Sequence, residues 1–373
     1  MKFKIIQNNL KEGVLTTGRI ATKSASLPIL KNILLEIKDN FLCISATDLE
    51  IGVKWWSLNK AEQEGKVTIP LDVFSSFINL LPKEKNVEIE TKNNDILVEC
   101  EEYKTKIKGL DPEDFPIIPT IEKNKEIKVK TEGFLKGLSQ VVDIPSSTKV
   151  KPEISGVYFQ FNGNTLKLAA TDSYRLAEKT VFLEEKVSDN FNFILPRKAA
   201  KEILNVFDNE NELKILFDSN QVLFESEMEK TDHPKIQLTS KLIEGKYPDY
   251  ESIIPEKTDT EILLNKKEFL NKIKAASLFS GKVNEVTLEI NSENKINILS
   301  QDNDLGNYET EMKGKVEGGD IKISFNHRFL KDGLSEIESS EIVFSVNDGE
   351  SPGKIIPVGN DDFLYVVMPI KNN

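Results

Sequence analysis

Three aspartates carry the first suggestion of chemistry in this 373-residue chain. Asp48, Asp172 and Asp302 each follow a short apolar run, in the phrases ATDL, ATDSYRLA and QDNDL. Carboxylates held close together could share acid–base work on one bond. These three stand about 125 to 130 residues apart, at the same point of a recurring phrase, so each belongs to its own unit. A turn-forming role fits them better, with the carboxylate accepting backbone N–H groups just downstream. The two histidines, His233 and His327, fall in different units and suggest neither a metal site nor a Ser-His triad. There is no G-x-x-x-x-G-K-[ST] phosphate loop and no G-x-G-x-x-G. The chain reads as a non-enzyme with no cofactor and no metal.

Basic residues are the second set with chemical potential. They recur on the expected helices: Arg19 and Lys23 near the end of one, Lys136 on another, and Arg197, Lys198 and Lys201 at the start of a third. Lys149 lies in a loop after a helix. By charge alone these are ordinary solvated helix faces. If equivalent helices line one rim, the same cations would track phosphates without reading bases. The net charge of −12 excludes a chain that is basic throughout, but not a local basic face.

A third set is apolar. Leu176, Pro248, Ile253 and Val366-Val367-Met368-Pro369-Ile370 sit at loops or near the chain end. Either they complete the core of the second and third repeats, or they form an exposed cleft beside Arg175 that suits a short hydrophobic peptide.

The elements that must position these residues follow one order three times. A strand leads into a first helix, then come a hairpin carrying the aspartate phrase, a strand, a second helix and a closing set of strands. First helices are expected from Asn8 or Asn9 to about Thr22, from Glu132 to Val142 with Thr131 as cap, and from Lys266 to Phe279. Second helices are expected to be started by Pro70 and Pro196 at N1-like sites, with Asn326 matching them in the third repeat, again about 126 to 130 residues apart. The fold class is α+β, with three repeated domains, each two helices packed on antiparallel sheet, over 1–122, 123–253 and 254–373. Cys43 and Cys100 lie in strand-like contexts and read as buried free thiols, which fits a cytoplasmic protein. No apolar run approaches the ~18 residues of a membrane span, and no signal peptide is evident.

Six phrases then resemble one family along the whole chain: LPILKNILLEI (27–37), ATDLEI (46–51), AATDSYRLA (169–177), ILPRKAAKEI (194–203), GKYPDYESIIP (245–255) and YVVMPI (365–370). The chain resembles the β sliding clamps of bacterial DNA polymerase III. The resemblance implies a head-to-tail homodimer closed as a ring around duplex DNA, nucleoid-associated in the cytoplasm. It tethers the replicative polymerase catalytic subunit and other proteins carrying a clamp-binding motif, and a separate ATP-driven clamp loader opens it. The family's DNA contacts carry over to Arg19, Lys23, Lys149, Arg197 and Lys198; Asp72 makes the second helix of repeat one a poor contact. Its peptide pocket carries over to Thr171, Ser173, Tyr174, Arg175, Leu176, Pro248, Ile253, Val366, Met368, Pro369 and Ile370, with Ile154, Asn326 and Phe329 nearby. Ser173 stands where the family often has Gly, and Lys371-Asn372-Asn373 departs from the commoner Arg-containing end. The dimer seam is expected between the Ile107 strand and the Leu278-Phe279 region. Two weaker alternatives remain: a peptide-binding scaffold that does not encircle DNA, and a carboxylate-dependent hydrolase.

Overall fold

The computed structural model describes residues 1–21, 27–121, 126–146 and 150–371. Lys23 and Lys149, both expected DNA contacts, and the terminal Asn372-Asn373 lie outside the described residues. Six α-helices are present among the described residues: α1 (Gln7–Gly18), α2 (Leu71–Leu80), α3 (Thr131–Ser139), α4 (Arg197–Val206), α5 (Lys266–Ala276) and α6 (His327–Glu336). Every strand pairing between them is antiparallel.

The contacts divide the chain into two compact units that do not follow the repeats. One holds Met1–Leu135 with Lys198–Leu242; the other holds Lys136–Arg197 with Ile243 onward. The cause lies in the sheets. In the first unit the Ile51–Leu58 strand of repeat one pairs with Pro234–Lys241, the last strand of repeat two, which merges both repeats into one eight-stranded sheet. In the second unit Arg175–Phe182 of repeat two pairs with Phe363–Val367, the last strand of repeat three, inside a nine-stranded sheet. The remaining strands form a five-stranded sheet in the first unit and a four-stranded sheet in the second.

Both joining strands, Ile51–Leu58 and Arg175–Phe182, escape a reading by hydrophobic alternation. In the second of them Lys179 occupies a buried position, its ammonium paired with Asp362 at 2.5 Å, so a charge stands where an apolar residue would mark the inward face. The five-residue strand Gly353–Pro357 escapes as well, because in GKIIP the inward positions are Gly353, Ile355 and Pro357 and the adjacent Ile356 hides the alternation. The hairpins are legible because their turns need special residues. Asp39 and Asn40 both take positive φ, 52° and 62°, between Asn32–Lys38 and Phe41–Thr47, as a two-residue type I′ loop requires.

The helices are shorter than expected, and two of their caps differ. α1 stops at Gly18, and it starts at Gln7 after Ile6, with no side-chain cap from Asn8 or Asn9. Thr131 begins α3 itself, and its buried hydroxyl has no hydrogen-bond partner, so it caps nothing. α5 ends at Ala276 and passes into a 3-10 turn over Ser277–Phe279. Apolar spacing sets the buried faces: α4 buries Ala199, Ala200, Ile203 and Val206, one stripe of a helix. In repeat one α1 packs on α2 and touches strands of two different sheets, so its helices do not rest on a single sheet. Both cysteines are free; burial pushes the Cys43 thiol up to about 11 and raises that of Cys100.

Candidate partner pocket and nucleic-acid face

The three aspartates build the same turn three times. Asp48 Oδ1 accepts from the backbone N–H of Glu50 (3.0 Å) and Ile51 (2.7 Å). Asp172 Oδ1 accepts from Tyr174 (3.0 Å) and Arg175 (3.1 Å), and Asp302 Oδ1 from Asp304 and Leu305 (3.0 Å each). In the first two turns a threonine completes the motif: Thr47 Oγ1 donates to the Ile51 carbonyl (2.9 Å) and Thr171 Oγ1 to that of Arg175 (2.8 Å). The residue after each of these two aspartates is driven into the left-handed region, Leu49 at φ 75° and Ser173 at φ 77°. That conformation suits glycine, and Ser173 holds it without one.

The turn at Asp172 presents a cluster within the second unit. Leu176 and Val366 face each other across paired strands and are buried with Ala169, Ile194, Tyr247 and Tyr250. Next to these buried residues along the chain are half-buried or exposed side chains: Tyr174 (62% exposed), Ile253 (45%), Pro248, and the half-buried Met368, Pro369 and Ile370. Met368 is drawn in by its backbone N–H, which donates to the Tyr174 carbonyl at 2.8 Å, and Ile370 by a bond to the Ser324 carbonyl, also 2.8 Å. The Tyr174 ring stacks on Phe329, with centroids 6.1 Å apart. Thus residues 171–176, 247–253, 329 and 366–370 are brought together. Ile154 is a buried residue of a 3-10 turn whose carbonyl accepts from Ser146, and the Asn326 side chain is committed as the N-cap of α6, accepting from the Arg328 N–H at 3.0 Å.

Arg175, expected beside the cleft, is committed to groups of its own chain. Its Nε donates to Asp172 Oδ2 at 2.9 Å, its Nη1 to Asp332 Oδ2 at 2.5 Å, and the guanidinium lies 4.9 Å from the centre of the Phe329 ring. Burial opposes its charge, but contact with Tyr365, Asp332 and Asp172 outweighs burial and leaves the group more firmly protonated than usual. It braces the wall of the cluster. Nothing in the sequence marks Asp332 as its partner, because the pairing spans 157 residues.

The described cations expected to contact DNA are likewise engaged. In the first unit Arg19 Nε meets Glu202 Oε2 at 2.8 Å, and Lys198 Nζ is paired with Asp48 Oδ2. In the second unit Arg197 donates to the Val142 carbonyl (3.1 Å), the Asp143 carbonyl (3.3 Å) and Asp143 Oδ1 (2.7 Å), closing the turn after α3. Asp72 is exposed in the first turn of α2. Of the expected seam residues, Leu278 is 69% exposed and Phe279 stacks on Tyr308 at 5.9 Å, while Ile107 is only 5% exposed and points into its own core.

Three family models describe the chain end to end: the N-terminal, central and C-terminal domains of the DNA polymerase III beta subunit match residues 1–119, 128–249 and 251–371. The beta sliding clamp of Bacillus subtilis is 28% identical over 384 residues, with all of both chains covered. That of Staphylococcus aureus is 27% identical, covering all of this chain and 99% of its own. The crystal structure of the Bacillus subtilis DNA polymerase sliding clamp superposes with a TM-score of 0.94 at 27% identity over the whole of both chains. The beta subunit from Thermotoga maritima gives 0.92 at 26% identity, again over both whole chains. Matched in all three of its repeats, the chain belongs to the DNA polymerase III beta subunit, or sliding clamp, family.

Proposed function

We propose that this chain is a sliding clamp. Two copies close as a ring around duplex DNA, bind it without regard to sequence, and tether the replicative polymerase and other partners through the pocket at Tyr174, Leu176, Ile253 and Met368. It performs no chemistry of its own. A clamp loader supplies the energy of opening, and the protein works on the nucleoid in the cytoplasm. No helix among the described residues is long and apolar enough to cross a membrane. The domain limits are 1–122, 123–253 and 254–373.

One observation carries closure. The same joint is used twice, each time pairing the strand after the aspartate turn with the last strand of the following repeat. Two strands of those same types are left without it: Tyr103–Lys108, the last strand of repeat one and an edge of the five-stranded sheet, and Gly306–Lys313, an edge of the four-stranded sheet. Bare edges invite pairing. A third and fourth joint between two copies would use both and leave no end. Carrying over the register of the first joint puts Ile107 opposite Leu305 and Tyr103 opposite Glu309, with Leu278 and Phe279 beside the seam through Tyr308.

Leu278→Asp tests this without touching the core, because Leu278 is largely exposed. Light scattering should report a monomer, and loaded wild-type protein should stay on nicked circular DNA and leave when the circle is cut. An unchanged dimer would move the seam elsewhere, and equal retention on both DNA forms would end the ring reading. Ile107→Asp is a poor probe, since it would damage the core first.

A further inference from the structure

The cations of the DNA face stand in an unusual electrostatic setting. Lys198 and Glu202 lie four residues apart on α4, hence on one face of that helix. Lys198 is held by Asp48, and Glu202 holds Arg19. Over these four side chains the formal charge sums to zero. In each pair the cation is the more exposed member: the side chains are 41% exposed for Arg19 against 16% for Glu202, and 54% for Lys198 against 8% for Asp48. The carboxylates are recessed and anchored, and Asp48 is fixed further by its two backbone bonds. An arriving phosphate therefore meets cations that already have a counter-charge built into the protein.

We infer that Glu202 and Asp48 act as built-in brakes on DNA affinity, neutralising Arg19 and Lys198 so that the ring is retained by topology and not by tight binding. The inference rests on the DNA-facing role proposed for these two cations. A free lysine or arginine gains affinity by releasing a condensed counterion from DNA. A cation whose neutraliser is a fixed carboxylate leaves that negative charge beside the phosphate and gains less. The arrangement accords with a chain that carries −12 overall yet must move along a polyanion. Weak, shallow attraction at each phosphate is what one-dimensional sliding requires.

The test uses the full-length dimer and fluorescein-labelled linear duplexes of two unrelated sequences, with anisotropy followed between 50 and 200 mM NaCl. Glu202→Gln keeps the size and hydrogen-bonding capacity of the side chain and removes its charge. It should bind both duplexes more tightly, by up to about eightfold near 0.1 M salt, and steepen the log–log salt slope by up to about 0.9, the increment for one added phosphate contact. Arg19→Ala on that background should cancel the gain. If Glu202→Gln leaves affinity and slope unchanged while Arg19→Ala in the wild-type background weakens binding, the brake is refuted and the DNA face stands. If neither Arg19→Ala nor Lys198→Ala weakens binding, the DNA face falls, and the brake with it. An unchanged melting temperature in Glu202→Gln excludes a folding origin for any gain.

Discussion

The two joints in this chain share a backbone and differ in almost everything built on it. In the first unit the Lys241 N–H donates to the Glu50 carbonyl at 3.0 Å; in the second the Met368 N–H donates to the Tyr174 carbonyl at 2.8 Å. The turns before them carry the same aspartate and threonine bonds. Yet Glu50 and Lys241 form an ion pair at 3.1 Å, whereas Tyr174 and Met368 are partly exposed apolar groups. Two positions further on, the first joint has Gly52 and the second Leu176. A Cβ on Gly52 would lie 2.6 Å from Ile118 Cγ2, so the chain's own Ile118 occupies the space above that strand. The same fold element is thus overlaid by an ion pair and Ile118 once and edged by the exposed Tyr174 and the half-buried Met368 once. Backbone geometry supplies the opportunity, and side chains at two or three positions decide whether a partner can use it.

The largest effects should come from the floor of each joint. Leu176 is fully buried, and Leu176→Ala should cost about 2–5 kcal/mol of stability, as large-to-small changes in cores do. Gly52→Leu should cost about 1–3 kcal/mol through overpacking against Ile118, and Ile118→Ala should recover part of it. Urea denaturation of the single and double variants measures both. Equal tolerance of leucine and glycine at position 52 would remove the distinction between the joints.

The legibility of these features in the sequence follows from how local they are. The aspartate turns, the hairpin at Asp39-Asn40 and the stripe on α4 depend on neighbours within a few residues, and each can be read from the chain. Of the pocket rim, Ile253 and Met368 stand out as apolar residues at loops and near the chain end, from which either a core or a cleft can be read; Tyr174 is reached only through the resemblance. The commitments of its polar groups were not reachable at all. Arg175 depends on Asp332, Arg19 on Glu202 and Lys198 on Asp48, and each of those pairs spans 150 residues or more. Nor could composition show that Ile107 points inward, because the edge position of its strand says nothing about which face its side chain takes.

Anchor residues of the pocket should matter next. Because Leu176 is core, truncating it would confuse folding with binding, and the cleaner probes are Tyr174→Ala and Met368→Ala. Each should weaken a hydrophobic clamp-binding peptide by about 1–2 kcal/mol, on the order of tenfold, with the dimer intact by light scattering. Titration calorimetry reads the first and sizing the second; full affinity in both variants would place the peptide elsewhere. Smaller still is the effect of disarming the first joint. Glu50→Tyr with Lys241→Met replaces a surface ion pair worth about 0–1 kcal/mol and imitates the rim of the pocket. Stability should hardly change, and the peptide should gain no second site, because Ile118 still covers the strand. Two sites per chain in the calorimeter would mean that rim chemistry alone suffices.

The weakest expected contrast between the units is in acid. His327 opens α6 in the second unit, whereas α2 in the first opens with Leu71. The His327 ring is 6% exposed, and its Nδ1 has no hydrogen-bond partner. Burial lowers its pKa from the ordinary value of 6.5, Lys331 and Arg328 lower it further, and Asp332 opposes them. The positive end of the α6 dipole acts in the same direction as the two cations. The folded protein therefore keeps this imidazole neutral at a pH where the unfolded chain would protonate it. Its contribution to stability is complete above about pH 6.5 and declines as the pH falls through that value toward the lower folded one. Denaturation between pH 7.5 and 5.5 should show a fall that His327→Gln flattens, and hydrogen exchange should show α6 losing protection in acid before α1 and α2. An imidazole resonance titrating at or above 6.5 in the folded protein would reverse the sign and remove the contrast.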